Sequence, residues 1–577
     1  MSGTIQSRGD VISPVLHIPF VVRLGSLAGL LTVILAILNI FLTYKIDPLA
    51  ARAISGIQAI GLVIWLIGVR AFQRPHLGRL GSAGALAAVV GLTVIPCLQL
   101  IQVAAQGAPT GMASRFIQSP ILPPLLGLTV FLVVWGSLTL GTTSLQIGIF
   151  PRGVVVLWMV GLVMVLLTSW IPVALVTSTG IVWASIIMLR RPPTQQANLR
   201  RDLPTTQATT FETSTSSQRL FPLDALRGTI MVLMAIDHAS YFVRRWHPFE
   251  TWDQPLPDYS SLAAMLTRLS THPCAPGFYF LMGAGMILFA QSRRQRGWSE
   301  GRIAGHLALR GLLFIILEQF IVDLATAGQP NLFEFSILAG LGVAMLMGIL
   351  FLRLSGPIQA AIGTSIVLVM QILPGILLRT DLGILTPIRL LLLPGSVGSA
   401  FVLYPPIPWL GVTLLGMAFA RFIARDTERA YRLALFAGLA CLALFPIVRG
   451  LGGFGNLRMP YGNTLIDFLN VVKYPPSLSF LLLSLGFDLV VLSLFARAAR
   501  WLAGWGQPLV ILGQTALYFF LAHWFVYGAF GMAFPTPGGL AETYLVWVVG
   551  LVALYPICKA YEAFKHRTPA SSVWRMI

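Results

Sequence analysis

The chain has 577 residues, of which 56% are hydrophobic and 10% charged, and its mean hydropathy is +0.81. Soluble domains carry about 25% charged residues, so this composition excludes an ordinary soluble protein as well as a disordered or collagen-like chain. Apolar runs of about 20 residues, enough to cross roughly 30 Å of hydrocarbon, recur along the chain. They predict an all-α, polytopic helical membrane protein rather than a β-barrel.

The formal net charge of +19 comes from Lys and Arg in short loops between apolar runs. In a membrane protein such residues set the orientation, so we interpret the charge as a topology signal and expect no nucleic-acid partner. The four cysteines lie in or beside apolar segments without CxxC spacing, which favours buried thiols over disulfides or a metal site. They are Cys97, Cys274, Cys441 and Cys558.

The distribution of apolar segments predicts two membrane modules. Six candidate spans form the first module, 1–190, near 20–44, 53–71, 82–104, 122–148, 153–171 and 172–189. Residues 191–219 are rich in Thr, Ser, Gln and Pro without an apolar period, which predicts a flexible polar linker. No role is assigned to the first module.

The second module, 220–577, offers about ten spans, which brings the predicted total to about sixteen transmembrane helices. They lie near 221–243, 274–292, 303–324, 333–352, 357–378, 404–424, 431–449, 477–498, 508–531 and 541–561. A short apolar run near 384–394 is interrupted by Pro and is expected to be re-entrant or interfacial.

Basic clusters predict the orientation of the bundle, because Lys and Arg concentrate in cytoplasmic loops. All of them fall on one predicted side: Arg190, Arg191, Arg200, Arg201, Arg293, Arg294, Arg296, Arg421, Arg425, Arg497, Arg500, Lys559, Lys565 and Arg567. Both termini and the linker are therefore predicted to be cytoplasmic. The loops 244–273, 325–332 and 450–476 are predicted to face outward.

The segment 220–243 carries the densest set of ionisable residues in any predicted span. Such residues are costly inside a membrane and are functional candidates by default. At 100° per residue, Asp224, Arg227 and His238 share one helix face, whereas Asp237 points away from it. Two structural alternatives stay open: Asp224 and Arg227 could form an ion pair at the helix end, and Asp237 and His238 could make capping or surface hydrogen bonds.

Further candidates lie in the outer half of the second module. His272 precedes a Pro-Cys-Ala-Pro turn that should break its helix. Glu318 lies about two-thirds of the way along its span and could pair with Arg310, and Asp323 ends that span. His523 lies at a depth similar to that of the first span's histidine and could bond a backbone carbonyl. The sequence does not show whether these residues converge.

Motifs for several soluble enzyme classes are absent. No P-loop, HExxH, GxSxG or GxGxxG following a predicted strand occurs, which argues against nucleotide-binding, zinc-protease and serine-hydrolase sites. A different set of motifs runs in order through the second module. They are LDALRG (223–228), MAIDH (234–238), TRLSTHPCAPGFYFLMG (267–283), RGLLFIILE (310–318), PPIPWLGVTLLG (405–416), KYPPSLSFLLLSLG (473–486) and GQTALYFFLAH (513–523).

At these motifs the sequence resembles the DUF1624 family, which is related to the catalytic domain of heparan-alpha-glucosaminide N-acetyltransferase within the wider transmembrane acyltransferases. The resemblance implies transfer of an acyl group, typically acetyl, from cytoplasmic acyl-CoA to a hydroxyl or amine on the far side of the membrane. It implies acetyl-CoA as cosubstrate, no tightly bound cofactor or metal, and an acceptor such as an envelope glycan. The family's usual setting implies a bacterial cytoplasmic (inner) membrane.

The resemblance also implies roles for the candidate residues. Arg227, with Asp224 and Arg310, would bind the anionic CoA, because guanidinium pairs well with phosphate. His238, oriented by Asp237, would be the general base or carry the acyl group. His272 or His523 would assist it, and Glu318 would steady a charged partner. The heparan-type enzyme has its catalytic histidine slightly further along, in a stretch that reads ASYFVRRWH (239–247) here, near His247 but not on it.

A small-molecule transporter and a non-enzymatic membrane scaffold are the alternatives. The prolines at 405, 406 and 408 suit a carrier whose substrate binds where a helix is broken. Against a carrier, the two modules do not look like repeats and the histidines cluster at one mouth instead of at the midplane. The sequence does not predict the oligomeric state.

Overall fold

The computed structural model describes residues 19–45, 48–107, 119–167, 171–190, 221–323, 334–377, 388–398 and 400–568, with 572, 575 and 576. The predicted linker, 191–219, lies outside the described residues, as does part of the predicted interfacial run. Six helices precede the linker. They are α1 (Phe20–Lys45), α2 (Pro48–Gln73), α3 (Arg79–Gly107), α4 (Leu122–Ile147), α5 (Arg152–Leu167) and α6 (Ile171–Arg190).

The second module contains longer helices joined by short ones and by a small sheet. Its elements are α7 (Phe221–Arg244), α8 (Leu262–Thr271), α9 (Cys274–Gln295), α10 (Glu300–Leu317), β1 (Glu334–Phe335), α11 (Ile337–Gly348), α12 (Gly356–Val369), α13 (Leu373–Leu377), β2 (Gly395–Val397), β3 (Ala400–Val402), α14 (Pro406–Arg425), α15 (Thr427–Leu451), α16 (Leu465–Leu469), α17 (Leu478–Arg497), α18 (Ala499–Ala503), α19 (Gln507–Gln514), α20 (Ala516–Gly531) and α21 (Leu540–His566). The strand β3 pairs with β1 in parallel and with β2 antiparallel.

The predicted all-α, polytopic membrane class is confirmed. Within the described ranges, nine helices are long and apolar enough to cross a membrane, or ten if one bent pair counts as a single span. The total of about sixteen spans, divided six and ten, therefore stays a prediction. The helix α7 is not among the nine; its polar residues Asp224, Arg227, Asp237 and His238 lower its hydropathy.

Two predicted spans have a different shape in the structure. The predicted single span 508–531 is two helices, α19 and α20, bent by 91° at Thr515. The segment contains no Pro near this bend, so the sequence carries no breaking signal there. The predicted span beginning at 274 is preceded by α8, and only His272 and Pro273 separate the two helices, at the turn that the prolines predicted.

The two modules are in contact through α4, which packs on α20 and α21. Phe131 stacks on Phe530 with ring centroids 4.6 Å apart. The Tyr518 hydroxyl donates to Thr142 Oγ1 at 2.6 Å, because the Thr142 proton already goes to the Leu138 carbonyl. The Trp135 indole N–H donates to the Ala553 carbonyl at 2.9 Å. These contacts tie the first module to the two helices that close the site described next.

Candidate active site

Two cavities lie one behind the other along α7. The first, of about 620 Å³, is named here the basic cavity because its polar lining includes Arg227, Arg293, Arg310 and Lys565. The second, of about 210 Å³, is named the histidine cavity and is lined by His238 and His247 among others. The predicted polar face of α7 thus serves two separate spaces, one near each end of the helix.

The basic cavity opens where the first residues of α7 meet α19. Arg227 Nη1 donates to Asp224 Oδ1 at 2.8 Å and to the Gly513 carbonyl at 3.2 Å. A Cβ on Gly228 would lie 1.9 Å from a carbonyl oxygen of α19, and one on Gly513 would lie 1.8 Å from the Asp224 carbonyl. Two glycines therefore allow the helices to touch, and the ion pair considered from the sequence is present.

Additional cations surround this space. Arg310 is half-buried and makes no ion pair with any described residue, and its buried Nε has no hydrogen-bond partner there. Lys565 Nζ donates to the Gln514 carbonyl at 3.0 Å. Arg293 packs over the Phe289 ring, 5.0 Å from its centroid. Clustered cations with few acidic partners favour an anionic ligand.

The histidine pair defines the other cavity. His523 Nδ1 faces the Phe520 and Phe519 carbonyl oxygens, at 2.5 and 3.2 Å. A carbonyl accepts only, so this nitrogen carries the proton and His523 Nε2 is the acceptor. His238 Nδ1 lies 2.6 Å from that Nε2 and must donate to it. The chain of bonds leaves the lone pair of His238 on Nε2, to which no described residue bonds.

The predicted orientation of His238 by Asp237 has no direct hydrogen bond behind it among the described residues. Adjacent residues on a helix point in directions 100° apart, and Asp237 turns toward α8, where both its oxygens accept from Arg268 Nη1 at 2.7 and 2.8 Å. The partner that orients His238 is His523, 285 positions later in the chain.

Arg268 is the centre of a buried ionic network. Its Nε and Nη2 donate to the two oxygens of Glu250, each at 2.7 Å, and Nη2 also reaches the Pro248 carbonyl. Burial alone would raise the pKa of Glu250, but the Arg268 guanidinium and its hydrogen bonds outweigh burial and hold this pKa well below its usual range. The Tyr259 hydroxyl donates to the same carboxylate at 3.0 Å. The network anchors the loop 245–261 over the end of α7.

His247 lies in the wall of the histidine cavity, but both its ring nitrogens face acceptors. Its Nε2 lies 3.3 Å from Asp237 Oδ2 and its Nδ1 lies 3.1 Å from the Pro248 carbonyl. A neutral imidazole has one N–H and one lone pair, so only one of these two contacts is a hydrogen bond unless the ring is protonated. Both nitrogens nevertheless lie against oxygen atoms of the protein, whereas Nε2 of His238 has no bond to a described residue. His238 is therefore the better placed base of the two histidines lining this cavity.

The structure separates His272 from the cavity. Its ring is fully buried, packs against Phe480 with centroids 5.4 Å apart, and has Nε2 3.7 Å from Glu250 Oε1. It does not line either cavity, whereas its neighbours Thr271 and Cys274 do. The prediction that His272 assists directly stays untested, and its position indicates a supporting contact to the network.

Glu318 makes no ion pair with Arg310, the alternative that the sequence left open, and its implied role beside a charged partner stays a prediction. Glu318 Oε2 accepts the backbone N–H of Leu338 at 2.7 Å and that of Ala339 at 3.1 Å. These are orphan donors of the first turn of α11, and Ser336, the residue at the cap position, makes no side-chain cap bond. Glu318 thus caps α11 from the position just after α10, at the start of a π-helical turn, Glu318–Val322.

Several cavity residues were not singled out from the sequence. Lys473 Nζ lies over the Tyr474 ring, 5.1 Å from its centroid, and the Trp524 ring lies 4.1 Å from that of His238. Lys473 and Tyr474 belong to the KYPPS motif and Trp524 follows His523, so the motifs marked the segments without indicating these contacts. Glu334 also lines this cavity, as does Asp323, which was a candidate from the sequence.

Together these features define a helical membrane protein with a cation-lined cavity and a histidine-lined cavity in line. Residues 219–449 match the family model described as heparan-alpha-glucosaminide N-acetyltransferase, catalytic. This match confirms the family resemblance, and it covers five of the seven motifs; those at 473–486 and 513–523 lie beyond its end. The model describes an acetyltransferase family, and this supports the prediction that the protein is a transferase. No protein of curated function matches the chain.

Proposed function

We propose that the protein is an integral membrane acyltransferase that moves an acyl group, acetyl in the simplest case, from cytoplasmic acyl-CoA to a hydroxyl or amine on the other side. The observation that carries this proposal is the available Nε2 of His238, held by His523 in a cavity next to a second one lined with cations. The family match to an acetyltransferase supports it.

The basic cavity is proposed to bind CoA. Its phosphates would meet Arg227, Arg310 and Lys565, which supply the charge-assisted hydrogen bonds that phosphate oxygens accept. The inner part of the cavity is apolar, with Phe278, Leu281 and Phe520 in its wall. The change from a cationic to an apolar lining would place the charged nucleotide at the outer end and the thioester toward the histidine cavity.

The histidine cavity is proposed to hold the acceptor. His238 Nε2 would remove the proton from the acceptor hydroxyl or amine as that group attacks the thioester carbonyl. The carbon–sulfur bond then breaks, the thiolate leaves in the basic cavity, and the proton held by His238 protonates it through solvent or the departing product. His523, which accepts from Nδ1, would stabilise the imidazolium that forms.

Turnover of labelled acetyl-CoA tests the proposal. Purified protein in proteoliposomes should release CoA from acetyl-CoA in the presence of glucosamine as an amine probe, and His238→Ala should slow release by roughly 10²- to 10⁴-fold. His76→Ala is the control and should release CoA like wild type, because His76 is exposed in the first module and lines neither cavity. Equal rates for wild type and His238→Ala would refute the proposed base. If folded wild-type protein does not bind acetyl-CoA, acetyl-CoA is not the donor and a carrier function is favoured.

A further inference from the structure

Among the described residues, the basic cavity and the histidine cavity share two lining residues, Phe278 and Ile337. Phe278 lies on α9 and Ile337 is the first residue of α11. On α7, Met231 lines the basic cavity and Met234 lines the histidine cavity. Three residues of helix correspond to about 4.5 Å, so the partition between the cavities is one layer of side chains thick.

The backbone on both sides of this layer is closely held. The first turn of α11 is bonded to Glu318 through the N–H groups of Leu338 and Ala339. On α9, a Cβ added to Gly277 would lie 2.3 Å from Ile230 and 2.9 Å from Asp488 Oδ2. Little space is left for either helix to shift, so the size of the opening depends on the side chains of Phe278 and Ile337.

We propose that Phe278 and Ile337 form a constriction that determines which acyl groups reach His238, admitting short chains and rejecting long ones. This inference rests on the proposed acyl transfer. The acyl group must pass from the CoA side to the acceptor side between these two apolar side chains. A short acyl group passes between these side chains without contacting a polar surface. A longer acyl chain would clash with Phe278 and Ile337, whose backbone cannot move aside.

The test compares kcat/KM for acetyl-CoA and hexanoyl-CoA with glucosamine as acceptor. Wild type should prefer acetyl-CoA, and Phe278→Ala should raise the hexanoyl-to-acetyl ratio by at least about 10-fold, since one methylene in an apolar pocket is worth that much. Ile337→Ala should change the ratio in the same direction. The matched control is Phe280→Ala: this side chain is also buried on α9 but lines neither cavity, so its ratio should equal that of wild type.

The outcomes separate this inference from the proposed function. If wild type turns over acetyl-CoA but both Phe278→Ala and Ile337→Ala keep the wild-type ratio, the constriction does not select and the inference is wrong. If the folded wild type neither binds nor turns over acetyl-CoA, the proposed function fails and the inference fails with it. Should Phe278→Ala not fold, Phe278→Leu makes a smaller opening and is expected to admit butyryl-CoA; an unchanged butyryl-to-acetyl ratio would equally contradict the constriction.

Discussion

The imidazoles of His238 and His523 are joined by a hydrogen bond of 2.6 Å whose direction is determined by the Phe520 carbonyl behind it. This bond fixes the tautomer of both rings. His523 lines neither cavity, so its contribution acts through His238.

We expect His523→Ala to lower kcat for acyl transfer by roughly 10²-fold while leaving KM for acetyl-CoA near the wild-type value. The substitution removes the acceptor of the His238 Nδ1–H hydrogen bond. It leaves the lining of the basic cavity, the proposed donor site, unchanged. The measurement is a pH–rate profile for both proteins. A merely structural role for His523 would lower the amount of folded enzyme and leave the profile of the remainder unchanged.

Substitution of Arg268 should be strongly destabilising. Its guanidinium bonds two carboxylates, and Arg268→Met leaves Glu250 and Asp237 without their cation, at an expected cost of about 3–5 kcal/mol. Arg268→Lys should recover only part of this, because an ammonium cannot make the paired bonds of a planar fork. Thermal unfolding in detergent measures the effect. Arg429→Lys, at a side chain 76% exposed, is the control and should leave the midpoint unchanged.

Acid should weaken the same network. The pKa of Glu250 is lowered by Arg268, so its contribution is present above the unfolded value, about 4.3, and is lost as the pH falls through the folded value. We predict that the unfolding midpoint of wild type falls more steeply below about pH 4 than that of Glu250→Gln. Parallel curves for the two proteins would contradict the assignment.

Lys565 should contribute to binding of the CoA phosphates. We expect Lys565→Met to raise the Kd for CoA by roughly 10-fold and to reduce the salt dependence of binding, because one charge-assisted contact is lost. Lys559→Met is the control, since Lys559 is exposed on the same helix and does not line the cavity. If both variants bind CoA like wild type, Lys565 does not face the donor.

The sequence predicted much of the framework and the location of the candidate site. Within the described residues a helix lies in each predicted span, although none of the α-helices covers the apolar run near 384–394. Apolar length and composition alone determine which segments suit a membrane. Helical periodicity also placed Arg227 and His238 at opposite ends of one helix. In the structure these residues line different cavities, as that separation indicates.

The partners of the candidate residues were not predictable. His238 pairs with a residue 285 positions away and Asp237 with one 31 positions away, and helix periodicity carries no information about which face meets which. Glu318 bonds backbone N–H groups, which every residue except proline possesses, so no residue pattern marks them. The bend at Thr515 lies two residues after Gly513, which packs closely on α7, a contact that local propensity does not encode.

Transfer across the membrane is the most direct test of the proposed function. Proteoliposomes with glucosamine enclosed would receive labelled acetyl-CoA, which does not cross the bilayer, on the outside, and the enclosed amine would be assayed for label. Wild type with its basic cavity outward should acetylate the enclosed glucosamine, and His238→Ala should not. Label that appears inside at the same rate with both proteins, or CoA release with no enclosed product, would contradict transmembrane acyl transfer through His238.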